Sequence, residues 1–295
     1  MSLKTTIAAV MFAASSTIAV AGDTLEIIVP GNMTGAFNTR FQILEPAIEK
    51  AIGKEVELNF AGTPARAKVM LDNADGPTLT IWQAMFNISE DSRVNRESMD
   101  VLALDTNPHR ICAADVSGRT AEDLFTKGAE FTIGHSTPSD LYADWIVGFN
   151  KANGTNHKPI PFSSSGNARR GALAGDVDFI FISPSNSNKL MQQGGKCFYT
   201  THPTGEPKHD LPALNTVTDY KAANQRQIYW YGALNVDADT VEALRNMFSE
   251  IATNPESEFN EFALTKDIQL ISVDSLTADE MDSEISSTID GWLGK

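Results

Sequence analysis

The sequence predicts an α/β protein of two lobes, each a mostly parallel sheet flanked by helices. Three observations carry that expectation. Short apolar runs alternate with segments of helical periodicity along nearly the whole chain, an order that calls for parallel strands joined by right-handed crossovers. Cleavage of an N-terminal leader leaves 274 of the 295 residues, enough for two modest hydrophobic cores. No repeat of fixed period and no low-complexity tract breaks the pattern.

The leader is "MSLKTTIAAVMFAASSTIAVA". Lys4 supplies a positive start, residues 5–18 are apolar or small, and Ala19, Val20 and Ala21 fit a small-x-small cleavage site. Residues 1–21 thus read as a secretory signal peptide, too short and too rich in serine for a membrane anchor. No cysteine stands directly after the cleavage site, where Gly22 follows, so the product is expected to be soluble and exported rather than lipid-anchored.

The elements follow in order. "TLEIIVP" reads as a strand and residues 36–52 as a helix closed by Gly53, with Pro46 predicting a kink or break near Leu44. "KEVELNF" is a strand, and "TPARAKVMLDNA" a helix with Thr63 as N-cap and Pro64 at its first position. "PTLTIW" completes a β-α-β-α-β unit. A second unit starts near Ile111. There "RICAADV", "AEFTIG", "HKPIPF", "DVDFIFISP" and "KCFYTTHP" read as strands. Between them "SGRTAEDLFTKG", "TPSDLYADWIVGFNKANG", "SSSGNARRGALAG" and "SNSNKLMQQGG" read as helical. "QIYWYGALNV" is a strand, followed by a helix with Val241, Leu244, Met247, Phe248 and Ile251 on one face. Two more helices flank a short strand, "IQLISV". The expected division is 22–109 with 228–295 as one lobe and 110–227 as the other.

Charge limits the partners. The full chain carries a formal net charge of −15, and loss of Lys4 takes it to −16. Such a surface repels nucleic acid and anionic membranes. An anionic ligand would have to be held by local dipoles that outweigh this field. Two cysteines, Cys112 and Cys197, in an exported chain favour a disulfide over two separate buried thiols.

Several junctions also match a known family in order. "IIVPGNMTGAFN" is similar to the family's "VPFxxGGxxD", "VELNFAG" to "VxNRPGA", and "DGPTL" to "DGYTL". "IPFSSSGNARRGALAGDVD" is similar to "VPYKGxxxALxxLLxGxVD", and "HDLPALNTVTDY" to "PDVPTxxExG". The most specific match is "WYGALNVDADTVEALRNMFSEIATNPE". On these motifs the chain resembles the tripartite tricarboxylate transporter substrate-binding proteins, the Bug family, over nearly its whole length.

The resemblance implies a two-lobed periplasmic-binding-protein (Venus-flytrap) fold and a periplasmic location. It also implies a monomer, a small mono- or dicarboxylate as ligand, and membrane permease subunits as partners. Helix N-termini with free N–H groups can hold a carboxylate without an arginine. The expected ligand-binding set is Met33, Thr34, Gly35, Asn38, Trp82, Gln83, Ser136, Thr137, Ser139, Ser163, Ser164, Ser165 and Asp178. Some have a plainer reading: Ser163 to Ser165 as an N-cap cluster, Thr34 and Asn38 as caps of the first helix, and Trp82 as core. Arg66 reads as a surface arginine or as a contact for a second carboxylate. The chain departs from the family at Thr34, Asn38, Ser163, Ser164 and Trp82, so the family's usual ligands do not transfer.

Other readings are weaker. A second function for the same fold is presenting a ligand to a membrane sensor. "GHSTPSD" sets His135, Ser136 and Asp140 together and invites a hydrolase, but it fails the G-x-S-x-G elbow at its last position. His202, His209 and Asp210 match no metal-site spacing. No phosphate loop or dinucleotide fingerprint occurs, so neither catalysis, metal nor cofactor is expected.

Overall fold

The computed structural model describes residues 24–31, 33, 36–136 and 140–292; the leader lies outside them. The first unit runs β1 (Thr24–Val29), α1 (Ala36–Ile52), β2 (Glu55–Phe60), α2 (Pro64–Asp72) and β3 (Thr78–Gln83), with β1 parallel to both β2 and β3. Local chemistry explains the helices. Thr63 caps α2 by accepting the Arg66 N–H at 3.3 Å, and Gly53 ends α1 with φ +67. The break expected at Pro46 does not occur. Pro46 and Gln42, whose carbonyl loses its partner, are both exposed, so water can take the missing bond.

The chain then forms β4 (Asp100–Asn107), β5 (Arg110–Ala113), β6 (Thr132–Ser136), α3 (Asp140–Asn153), β7 (Lys158–Phe162), α4 (Ser165–Ala174), β8 (Phe179–Ile182), α5 (Pro184–Gln192) and β9 (Lys196–Thr200). It ends with β10 (Gln227–Leu234), α6 (Ala238–Thr253), α7 (Glu258–Lys266), β11 (Gln269–Ile271) and α8 (Ala278–Trp292). Strand β4 was not anticipated, and the helix expected in "SGRTAEDLFTKG" shrinks to one turn, Glu122–Phe125, whose Leu124 plugs the core.

The strands make two sheets, in the orders β11-β4-β10-β3-β1-β2 and β7-β6-β8-β5-β9. Both are mixed rather than mostly parallel. The parallel half of each comes from the β-α-β units. The strand that enters each lobe from the other, β5 or β10, must run away from the junction and so lies antiparallel to its neighbours. Helices cover both faces. Phe41, Leu44, Ile48, Leu244 and Phe248 from α1 and α6 pack on one face of the first sheet, and Leu71, Met281 and Ile285 from α2 and α8 on the other. In the second lobe α3 packs on one face through Trp145, Ile146 and Phe149, and α4 and α5 on the other through Ala168, Ala172 and Leu190. Cys112 and Cys197 stand opposite each other on β5 and β9 and are disulfide-bonded.

Candidate ligand cleft

The edge where the lobes meet is fixed by the crossovers. The chain leaves the first sheet at Asn107, passes Pro108 and His109, and enters the second at Arg110; it returns at Gln227. Register then places other residues at that edge. Tyr229 pairs with Gln83, so the C-terminal end of β3 lies there; Arg110 pairs with Ile182, so does that of β8. Through the parallel pairings, the C-terminal ends of β1, β6 and β7 lie there too. In open α/β sheets this is where ligands bind.

Met33, Asn38, Gln83, Ser136 and Ser163 to Ser165 therefore fall on the interlobe edge. Met33 is 68% exposed, while Asn38 is buried and its amide donates to the Met33 carbonyl. Gln83 is buried beside Tyr229. In the second lobe, Ser164 is the N-cap of α4 and its hydroxyl accepts the Asn167 N–H at 3.1 Å, while the Asn167 amide donates to Ser163. The Ser165 and Gly166 N–H groups begin the helix without intrahelical partners and carry its positive dipole end. Thr34, Gly35, Thr137 and Ser139 lie outside the described residues.

Two expected site residues belong elsewhere. Trp82 is fully buried, donates its indole N–H to Asn87 Oδ1 at 3.0 Å, and packs with Trp230 against α2 and α8. It is core rather than pocket wall, because alternation turns it to the face opposite Gln83. Asp178 precedes β8 and sits beside Thr132 at the start of β6, the far end of the sheet from the cleft. Its carboxylate accepts the Thr132 N–H at 2.9 Å and hydroxyl at 2.8 Å, and pairs with Arg119 at 2.7 Å. Partial burial opposes its charge, but these donors hold the carboxyl below its usual range. Arg66 is exposed on α2.

The junction also holds a buried polar chain that sequence reading missed. Arg40 on α1 is buried and pairs with Asp105 on β4, Nε to Oδ2 at 2.5 Å and Nη2 to Oδ1 at 3.0 Å. Tyr231 donates to the same carboxylate at 3.0 Å, and the Arg40 guanidinium lies 4.5 Å from the Tyr229 ring centroid. Burial disfavours the Arg40 charge, yet Asp105 more than compensates, and the Arg40 pKa is raised. Tyr229 donates to Gln227 at 3.0 Å, and the Gln227 amide donates to Tyr142 of α3, in the other lobe. Burial pushes the Tyr229 phenol up to about 12 and Tyr142 higher still. His109 lies 5.0 Å from Tyr142 and stacks on Phe181 at 4.8 Å; burial pushes it down to about 3. The one signal in the sequence was an arginine inside the apolar stripe of α1, since a buried charge must be paired.

His135 is buried against Tyr142 with Nδ1 3.3 Å from the Ser136 carbonyl. Glu206, His209 and Asp267 bring their ligand atoms within 4.8 Å of one another. A cation there would meet Arg110, which already pairs with both carboxylates, and Lys208 at 3.8 Å from Asp267. The residues do not fit a metal.

No protein-family model matches the chain, and no curated protein does. Solved structures do. The chain is similar to a TctC solute-binding protein from Polaromonas, with 16% identity over 92% of this chain and 98% of that one and a TM-score of 0.71. It is similar to a protein of R. palustris solved with adipate, with 12% identity, coverage of 92% and 95%, and a TM-score of 0.68. It is also similar to MatC from Rhodopseudomonas palustris with bound malate, with 13% identity, coverage of 91% and 97%, and a TM-score of 0.65. The chain therefore has the two-lobed α/β fold of the periplasmic solute-binding proteins.

Proposed function

We propose that the chain is a periplasmic solute-binding protein of the tripartite tricarboxylate transporter type. It captures a small organic carboxylate between its lobes and delivers it to membrane permease subunits. The observation that carries this reading is the pair of helix starts at one edge: α1 opens there from the first lobe and α4, with Ser164 as its cap, from the second. Each offers N–H groups and a positive dipole end to an anion. A carboxylate touching both favours the closed arrangement, because its affinity for that state is greater. In a partly dry cleft these close donors outweigh a net charge of −16 spread over a screened surface. The ordered motif matches and the shared fold with structures holding malate and adipate support the same reading.

A thermal-shift and calorimetric screen of mono- and dicarboxylates, hydroxy acids, neutral sugars and amines tests it. A bound acid at a hundredfold excess over its Kd stabilises the folded state by about 2.7 kcal/mol. Sugars and amines are expected to leave the melting temperature unchanged. A shift by a sugar or an amine, with none by any acid, overturns the carboxylate assignment.

A further inference from the structure

A groove of about 1320 Å³ runs between α3 of the second lobe and α8 of the first, and residues of the returning crossover form its floor. Its walls belong to different lobes, and each is held to the floor on its own side. At α3, the Trp145 indole donates to the Ala222 carbonyl at 2.8 Å. Gly148 leaves the space that Tyr220 fills, since a Cβ there would sit 2.4 Å from the phenol oxygen. At α8, Arg226 reaches Glu284 at 3.7 Å, and Gly291 admits the Gln225 side chain, 1.7 Å from where a Cβ would be. Anything seated in this groove touches both lobes at once.

The groove is acidic. Asp144, Asp219, Asp282 and Asp290 line it against Lys151 and Lys221. Asp282 pairs with Arg96, while Asp144, Asp219 and Asp290, like Lys151 and Lys221, have no ion-pair partner among the described residues, so the free carboxylates outnumber the free cations. Helix α8 carries five acidic residues and no basic one. Ala152, exposed on α3, and the half-buried Ile88 add aliphatic surface to the same lining. Unpaired carboxylates beside an exposed aliphatic suit a peptide segment that carries both cations and methyl or methylene groups. The volume is larger than the roughly 300–1,000 Å³ usual for small-molecule sites. The same charge excludes nucleic acid and anionic lipid.

We propose that this groove docks a lysine- or arginine-bearing segment of a protein partner. The proposal does not depend on which solute the cleft takes. The probe is a fluorescein-labelled decapeptide of alternating lysine and alanine, with a glutamate-alanine peptide as its counterpart, followed by anisotropy on the full chain. The basic peptide is expected to bind and the acidic one not. The triple variant Asp144→Asn, Asp219→Asn, Asp290→Asn is expected to weaken binding about tenfold, the sum of three modest surface ion pairs. Neutralising three exposed acids elsewhere, with Glu55→Gln, Glu57→Gln and Glu242→Gln, is expected to change it by less than about twofold. All six positions are exposed, so folding should survive both sets. As a second reading, a photo-crosslinker on Ser287→Cys in the groove should capture the basic peptide while one on Glu57→Cys does not. Equal weakening by both triples, equal capture at both sites, or no binding of the basic peptide overturns the proposal.

Discussion

Among the described residues two arginines are buried, and they are held in opposite ways. Arg40 pairs with Asp105 inside the first lobe, where α1, β4 and β10 meet, and Tyr231 completes the carboxylate's shell. Arg110 gathers partners from both lobes. It bonds Glu206, Ser187 at 3.0 Å and Asn188 at 2.6 Å in the second lobe, and Asp267 at 3.0 Å in the first. The first pair lies within one lobe, so turning the lobes as units leaves it unchanged. The second spans the joint, so its energy depends on the angle between lobes. A buried ion pair is a poor source of net stability but a strong constraint on arrangement. Arg40 therefore constrains the edge of one lobe, and Arg110 constrains the relation between two.

The largest expected effect follows from breaking the internal pair. Arg40→Met leaves Asp105 buried without its cation and should cost about 3–5 kcal/mol in urea unfolding. Adding Asp105→Asn removes the stranded charge and should restore much of that loss, since Tyr231 can still donate to the amide oxygen. If the double variant is as unstable as the single one, Arg40 contributes packing rather than charge balance.

The parts legible in the sequence were those set by local chemistry. The alternation of strands and helices, the Thr63-Pro64 start of α2 and a serine cap for α4 within Ser163 to Ser165 all follow from neighbouring residues. What was not legible depends on distant partners. Strand β4 was missed because "DVLALDTN" carries charges at positions that read as exposed, and Asp105 is neutralised by an arginine 65 positions away. Trp82 was misplaced because the family motif marks the end of β3 near the cleft but not which of its side chains faces it, and β3 is buried along its whole length. Asp178 failed for a topological reason. A motif match gives a position in the chain but not the end of the sheet on which it lands.

A proton sharpens the comparison at the point between the two arginines. His109 precedes Arg110, and its backbone exchanges hydrogen bonds with Thr201, both at 2.8 Å. Its folded pKa of about 3 lies below the ordinary 6.5, and the ring is buried. The unfolded chain therefore binds more protons across that interval, so stability is full above about pH 6.5 and falls as pH drops toward 3. At pH 4.5 the loss should be roughly 2–3 kcal/mol relative to pH 7. Urea titrations at the two pH values check this. His109→Gln should flatten the dependence, leaving the smaller slope from His157 and His202, which burial also lowers. An unchanged slope in the variant would place the acid sensitivity elsewhere.

The smallest expected change in stability carries the most information about shape. Asp267 ends α7 at φ +50, a conformation asparagine adopts readily. Asp267→Asn thus keeps the backbone and the bulk while deleting the charge that faces Arg110 across the joint. Glu206 still pairs with Arg110, so the cost should be only about 1–2 kcal/mol. Burial opposes ionisation of Asp267, but the Asn188 amide and Arg110 hold its carboxyl below the usual range. Its contribution is therefore present above about pH 4 and fades as pH falls through the folded value. Small-angle scattering provides the deciding measurement. Asp267→Asn should broaden or shift the distribution of lobe angles, whereas the Arg40→Met, Asp105→Asn double variant should leave it unchanged. Equal effects on scattering would mean that the two arginines do the same job, and that the joint is set by the crossover strands alone.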